Sequence, residues 1–203
     1  MVRPFLTKVG RWLNPTTLGL AVLCFVFPFV TVGCTPSGFG HAKSDGSTSY
    51  NGVDLIIGAE PKVAPPEKER PAEEAKDVRL YPQPAAAATL LLIVAAIGFA
   101  LRQKDPRIRR GGVAVLSATA LTALLVNQAL SQSAVALLLA DEYSGKTFPD
   151  GNTASDYVKG GSGFVFIMLL LLILTIGNTI AWWRRARDRP ALVAGVERTE
   201  LLP

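Results

Sequence analysis

Polar and apolar positions along the chain separate into four long uncharged blocks divided by charged or turn-rich stretches. The blocks run over 15–33, 85–101, 112–140 and 163–183, and none contains Asp, Glu, Lys, Arg or His. They show neither the two-residue alternation of a half-buried strand nor the polar face of a soluble helix. About 20 apolar residues at 1.5 Å each cross the roughly 30 Å hydrocarbon core of a bilayer. Lipid offers backbone amides no partner, so helices are the spanning form, and the alternating ten-residue segments of a membrane barrel are absent from the sequence. The pattern predicts an all-α integral membrane protein, a bundle of four transmembrane helices with a small outer loop.

Local signals set the expected limits. Asn14 followed by Pro15 reads as a helix start, with Asn14 as the cap and Pro15 at the first helical position. Pro28 removes the amide that would bond to the carbonyl of Cys24, so the first span is expected to kink there and to continue to about Val32. A helix ending at Phe27 would be short for a crossing, although Val30, Thr31 and Val32 also suit an extended segment. The second span covers 85–101, with a start near Pro82 as the alternative. The third covers 29 residues, or roughly 43 Å of helix, and so must tilt or project from the bilayer. The fourth contains the unbroken apolar run Met168–Leu174.

Charge then orients these spans. Thirteen basic residues flank one side: Arg3, Lys8 and Arg11, then Arg102, Lys104, Arg107, Arg109 and Arg110, then Arg184, Arg185, Arg187, Arg189 and Arg198. The other side has six near the span ends, namely Lys43, Arg70, Lys76, Arg79, Lys146 and Lys159. The richer side is expected to be cytoplasmic, placing both termini inside. The expected order is therefore a cytoplasmic N-terminus (1–14), an outer loop (34–84), a basic inner loop (102–111), a second outer loop (141–162) and a basic inner tail (184–203). The modest net charge of +5 is an average of about +9 inside and −4 outside. It reads as topology and anionic-lipid contact, and no nucleic-acid partner is expected. Trp12, Trp182 and Trp183 fall at the inner interface, and Tyr81 and Tyr143 at the outer one.

Candidate chemistry is sparse. Proton relays and ion-coupled transporters place ionisable groups inside the bundle, and these blocks have none. The third span carries Asn127, Gln128, Ser131, Gln132 and Ser133 in its outer half, and a small-residue stripe of Ala114, Ala118 and Thr122. Such residues pack and hydrogen-bond helices, or else line a polar path or ligand site. Gly177, Asn178 and Thr179 are expected to pack in the same way in the fourth span. In the first outer loop, 34–58 is read as a small folded part and 60–84 as a Pro/Glu-rich solvated tether. Tyr50 to Gly58 suggests a hairpin, or a strand followed by a helical turn capped by Asp54, with Leu55, Ile56 and Ile57 against the span ends or in the headgroups.

His41 is the single histidine, so neither a His-based dyad nor a multi-His metal site is expected, and no catalytic set, cofactor or metal is assigned. A weak metal site of His41 with Asp45 and Asp54 is the remote alternative. Cys34 lies on the oxidising face, available for an intermolecular disulfide or for modification. Cys24 stands ten residues before it, about 15 Å along a continuous helix, too far for a bridge between them. The basic start, the apolar stretch and Val30-Thr31-Val32-Gly33-Cys34 also resemble a bacterial lipoprotein signal with its lipidated cysteine, departing from it at Thr31 and Pro28.

The run Phe27-Pro28-Phe29-Val30-Thr31-Val32-Gly33-Cys34, followed by Tyr50-x-Gly52-x-Asp54-Leu55-x-x-Gly58, resembles a group of small actinobacterial membrane proteins. They share a Pro-Phe end to the first helix, a nearby Cys and a Tyr-x-Gly-x-Asp-Leu loop. The resemblance covers about a quarter of the chain; it implies a four-helix protein of a bacterial plasma membrane and brings no active site. The leading expectation is a non-enzymatic accessory or scaffold subunit. It would bind another membrane or envelope protein, or its own copies, through the outer loop and third span, with Asn127, Gln128, Ser131, Gln132, Tyr50 and Asp54 as contact candidates. The alternatives are an oligomeric channel or transporter subunit lined by the third-span amides, and a membrane enzyme seeded by Cys34 and His41.

Overall fold

A computed structural model describes residues 3–33, 48–58, 62–63, 80–142 and 153–200 of the chain. Helix α1 (Arg3–Leu23) passes through a 3-10 turn (Cys24–Val26) into strand β1 (Pro28–Val32). Strand β2 (Thr48–Asn51), helix α2 (Gly52–Ile57) and the two-residue strand β3 (Lys62–Val63) follow. Helices α3 (Pro84–Arg102) and α4 (Pro106–Glu142) come next. A 3-10 turn (Ala154–Tyr157), strand β4 (Val158–Gly160) and helix α5 (Ser162–Glu200) complete the order.

Among the described residues, three helices are long and apolar enough to cross a membrane, over Pro84–Arg102, Pro106–Asp141 and Ser162–Arg184; the apolar part of the first helix, Trp12–Val26, is shorter. α3 and α5 each pack between α1 and α4, so the four helices close a ring. Their buried faces recur every three or four residues, as on α3 with Ala86, Thr89, Ile93, Ala96 and Ala100. Leu18 and Ala21 of α1 and Ile167, Leu171 and Leu174 of α5 join the same core. The outward faces are equally apolar: Leu20, Leu91, Val115, Leu125, Leu172 and Ile173 are all exposed. Apolar surface on every side of a bundle is unfavourable in water and is what lipid solvates. Hydroxyls on these helices bond back to their own chain, as Thr89 does to the Ala85 carbonyl (2.8 Å) and Thr119 to that of Val115 (3.0 Å). Such bonds pair a hydroxyl proton that hydrocarbon could not solvate.

The first block departs from the expected kinked helix. Its helix ends at Leu23, and Pro28–Val32 is a strand. The sheet order is β3-β2-β1-β4, which makes β1 an interior strand. It pairs antiparallel with β2, Val30 opposite Tyr50 and Val32 opposite Thr48, and antiparallel with β4, Val30 opposite Gly160 and Val32 opposite Val158. An irregularity between Pro28 and Val30 lets the neighbours Phe29 and Val30 both face inward. Pro28 frees the helical carbonyls, the β-branched run favours extension, and two flanking strands satisfy the backbone on both sides. The start differs too. α1 begins at Arg3 with Pro15 inside it, so Asn14 caps nothing.

The sheet closes one end of the bundle. β1 follows α1, β4 leads into α5, and α4 packs against β1, β4 and the 3-10 turn before β4. α2 sits beside the start of α3, tied by the Gln83 amide donating to the Leu55 carbonyl at 2.7 Å. Of the two readings of Tyr50–Gly58, the strand followed by a helical turn is the one present, but Asn51 is its cap. The Asn51 side chain accepts from the Asp54 amide (2.8 Å), and the Asp54 carboxylate accepts from the Asn51 amide (3.1 Å). Leu55 is buried in the core, whereas Ile57 is exposed.

Candidate functional site

α4 carries the polar side chains singled out in the sequence, and its packing decides where they point. Val113, Ala114, Ser117, Ala120, Leu124, Asn127, Gln128, Ser131 and Val135 are buried, a helical stripe at spacings of mostly three and four. Of the small-residue stripe Ala114, Ala118 and Thr122, Ala114 is buried and Ala118 half-buried. Steps of four drift about 40° each around a helix of 3.6 residues per turn, so Thr122 ends exposed, with its hydroxyl on the Ala118 carbonyl (3.1 Å).

The C-terminal half of the stripe lies beneath the sheet. The Gln128 Nε2 donates to the Phe29 carbonyl at 3.4 Å, which also accepts the Gly161 amide at 2.7 Å. A β-carbon on Gly160 would lie 3.3 Å from Gln128 Nε2 and 3.8 Å from Gln132 Nε2, so β4 runs directly over both amides. Ser131 Oγ reaches Asn127 Oδ1 at 3.5 Å. Two atoms of this cluster are buried without a hydrogen-bond partner, Asn127 Nδ2 and Gln128 Oε1. Each such group costs about 1–3 kcal/mol. The cluster offers amides and hydroxyls alone, so it can hold water or a partner dipole and cannot exchange protons with a substrate.

The remaining candidates are placed as follows. Tyr50 is buried in β2, and Asp54 is buried in the α2 cap. Gln132 is half-buried. Asn127, Gln128, Ser131, Tyr50 and Asp54 therefore lie inside a single copy of the chain. Cys34 and His41 lie outside the described residues, as do Asp45 and most of the tether. Cys24 is buried with a free thiol. Among the described residues, no three His, Cys, Asp or Glu side chains are grouped to hold a metal ion.

Two polar links were not legible as pairs. Ser117 Oγ and Thr175 Oγ1 join α4 to α5 at 3.0 Å. Asn14 Nδ2 donates to Asn178 Oδ1 at 2.8 Å, and Asn178 Nδ2 returns to Asn14 Oδ1 at 3.3 Å, joining α1 to α5. The available signal was one polar residue at comparable depth in two apolar blocks, which marks candidates without saying who meets whom. Outside the bundle, Asp156 accepts from the Thr153 amide (2.7 Å) and hydroxyl (2.8 Å). These bonds, the backbone one first, hold its carboxyl below the ordinary aspartate range. A comparison of the chain with known protein families and with curated proteins finds no match.

Proposed function

We propose that the chain is a non-enzymatic, multi-pass protein of a bacterial plasma membrane, an accessory or scaffold that docks another membrane or envelope protein on its sheet-bearing end. The observation that carries this reading is an apolar patch on that end. Val53 and Ile57 lie one turn apart on α2 and are exposed, and Tyr81 in the lead into α3 is 81% exposed. Gly58 packs against Leu80 and Pro82, so the end of α2 and the lead into α3 lie side by side. Aromatic and branched anchors on a rigid support are what partner proteins bury. The buried α4 amides enter as the support of that surface rather than as its contacts. An oligomeric pore lined by them would need them turned outward, and the outward side of α4 carries Val115, Val126, Leu130 and Leu137.

In this reading α1 is the fourth span and both termini are cytoplasmic. The position of α1 in the ring beside α3 and α5 supports the crossing, and the thirteen-to-six distribution of basic residues supports the orientation. On a Cys34→Ser background, impermeant thiol labelling of intact cells is expected to reach Ser155→Cys and not Lys104→Cys; the reverse pattern overturns the orientation. For the function itself, the full chain is crosslinked in native membranes and purified. A defined partner is expected, lost in Ile57→Ser/Tyr81→Ala. A solitary monomer overturns the docking reading. A mass increase of a diacylglyceryl group on Cys34 would instead make the chain a lipid-anchored protein.

A further inference from the structure

At the end of the bundle opposite the sheet, α4 and α5 leave a cleft of about 430 Å³ lined by Arg110, Gly177, Ile180, Ala181 and Arg184. We propose that this cleft binds the phosphodiester headgroup of an anionic phospholipid. Its lining divides into two arginines, one from each helix, and the apolar Gly177, Ile180 and Ala181. The division matches an anionic lipid, whose phosphate needs charge and forked donors while its glycerol and first methylenes need apolar contact. Position agrees with chemistry. Arg110 lies at the start of the apolar part of α4 and Arg184 at the end of that of α5, the depth at which headgroups meet hydrocarbon. Gly111 leaves room for the Trp182 indole, whose Nε1 would be 3.2 Å from a β-carbon there. Trp183 next to it is exposed, and indoles of this kind sit at the interface. The volume falls in the range of small-ligand clefts, enough for a headgroup and far too little for a folded partner.

The charge of this end suits the same ligand. Arg107 and Arg109 on α4 and Arg102 at the end of α3 add to the positive field, and anionic lipid is concentrated at the cytoplasmic surface by such segments. The inference rests on the membrane reading and not on the docking of a protein partner at the other end.

The test is lipid retention by the full chain in neutral detergent, read by native mass spectrometry. Phosphatidylglycerol is compared with phosphatidylcholine of the same acyl chains. One retained phosphatidylglycerol per chain is expected, with phosphatidylcholine lost. Arg110→Gln/Arg184→Gln is expected to weaken retention by about tenfold or more, from roughly one kilocalorie-scale contact per arginine. Gly177→Leu keeps both charges and puts a branched side chain in the cleft; a β-carbon at Gly177 meets nothing within 4 Å, an unchanged melting temperature is the check on its fold, and retention is expected to fall equally. Arg102→Gln/Arg107→Gln, away from the cleft, is expected to retain the lipid. Equal retention of the two lipids, or retention surviving Gly177→Leu, overturns the site. Displacement by excess inorganic phosphate as effective as displacement by lipid overturns the lipid assignment. Loss of the protein partner with lipid retention intact bears on the docking surface alone.

Discussion

Asn14 and Asn178, 164 positions apart, exchange side-chain amide hydrogen bonds between α1 and α5. Asn178 Nδ2 also donates to the Leu174 carbonyl of its own helix at 2.8 Å. α1 is the shortest apolar helix of the ring, and Leu, Ala and Phe contacts alone do not distinguish one register of α1 from the next. A reciprocal amide pair does, because sliding by a turn would break both bonds between the two side chains and strand Asn14.

Asn14→Leu and Asn178→Leu are each expected to lower stability by about 1–2 kcal/mol, since each strands the opposite amide. The double variant is expected to lose less than the sum, with a coupling of about 1 kcal/mol. Unfolding in detergent micelles across the four proteins of the cycle measures it. Strict additivity would show that the two amides do not depend on each other.

The orphaned acceptor on Gln128 leads to the opposite expectation. Gln128→Met keeps length and flexibility while removing an unpartnered Oε1 and a single long bond to Phe29. The Phe29 carbonyl keeps the Gly161 amide. Stability is expected to stay within about 1 kcal/mol of the parent or to rise. A loss beyond about 2 kcal/mol would mean that Oε1 has a bound partner. Unfolding of the variant and the parent in detergent micelles measures the difference.

The parts of this architecture that were legible are those with local causes. Uncharged length marked α3, α4 and α5, because lipid solvation acts residue by residue. The strand over Pro28–Val32 was not, because its partners lie about 20 and 130 positions away and are themselves short and unremarkable in composition. A proline in an apolar block permits a kink or an exit, and only the strands waiting at β2 and β4 select the exit. The amides of α4 were visible as a polar cluster, but burial depends on which helices flank it. Arg110 and Arg184 read as two members of separate topology clusters; their convergence on one cleft is a property of the α4–α5 packing.

Asp156 supplies a pH-dependent local test in the turn before β4. Its folded pKa is depressed by the Thr153 amide and hydroxyl. The stabilisation it gives is therefore present above the unfolded aspartate value of about 3.9 and is lost as pH falls through the lower folded value. Protection of the Thr153 amide against hydrogen exchange is expected to follow that curve, and Asp156→Asn to flatten it. Protection that drops while pH is still well above the ordinary aspartate value would rule the carboxylate out as its cause.

The junction of β1 with α5 depends on the absence of two β-carbons. A β-carbon on Gly161 would lie 2.1 Å from the Pro28 carbonyl oxygen, and one on Gly163 would lie 2.8 Å from that of Phe27 and 3.0 Å from those of Cys24 and Pro28. These obstacles are backbone atoms of the 3-10 turn, of Phe27 and of the start of β1, so they cannot swing away as a side chain would. Gly161→Ala and Gly163→Ala are each expected to destabilise the protein by about 2–3 kcal/mol, the range of overpacked sites. Gly19→Ala and Gly98→Ala serve as controls, since nothing lies within 4 Å of a β-carbon at either. They are expected to be neutral or to stabilise by up to about 1 kcal/mol, the helix preference of Ala over Gly. The comparison also separates the two courses of the first block. Were the helix to run on through Val32, the Pro28 carbonyl would point along the helix axis and Gly161→Ala would match the controls. A large loss at 161 and 163 with none at 19 and 98 is the signature of the strand.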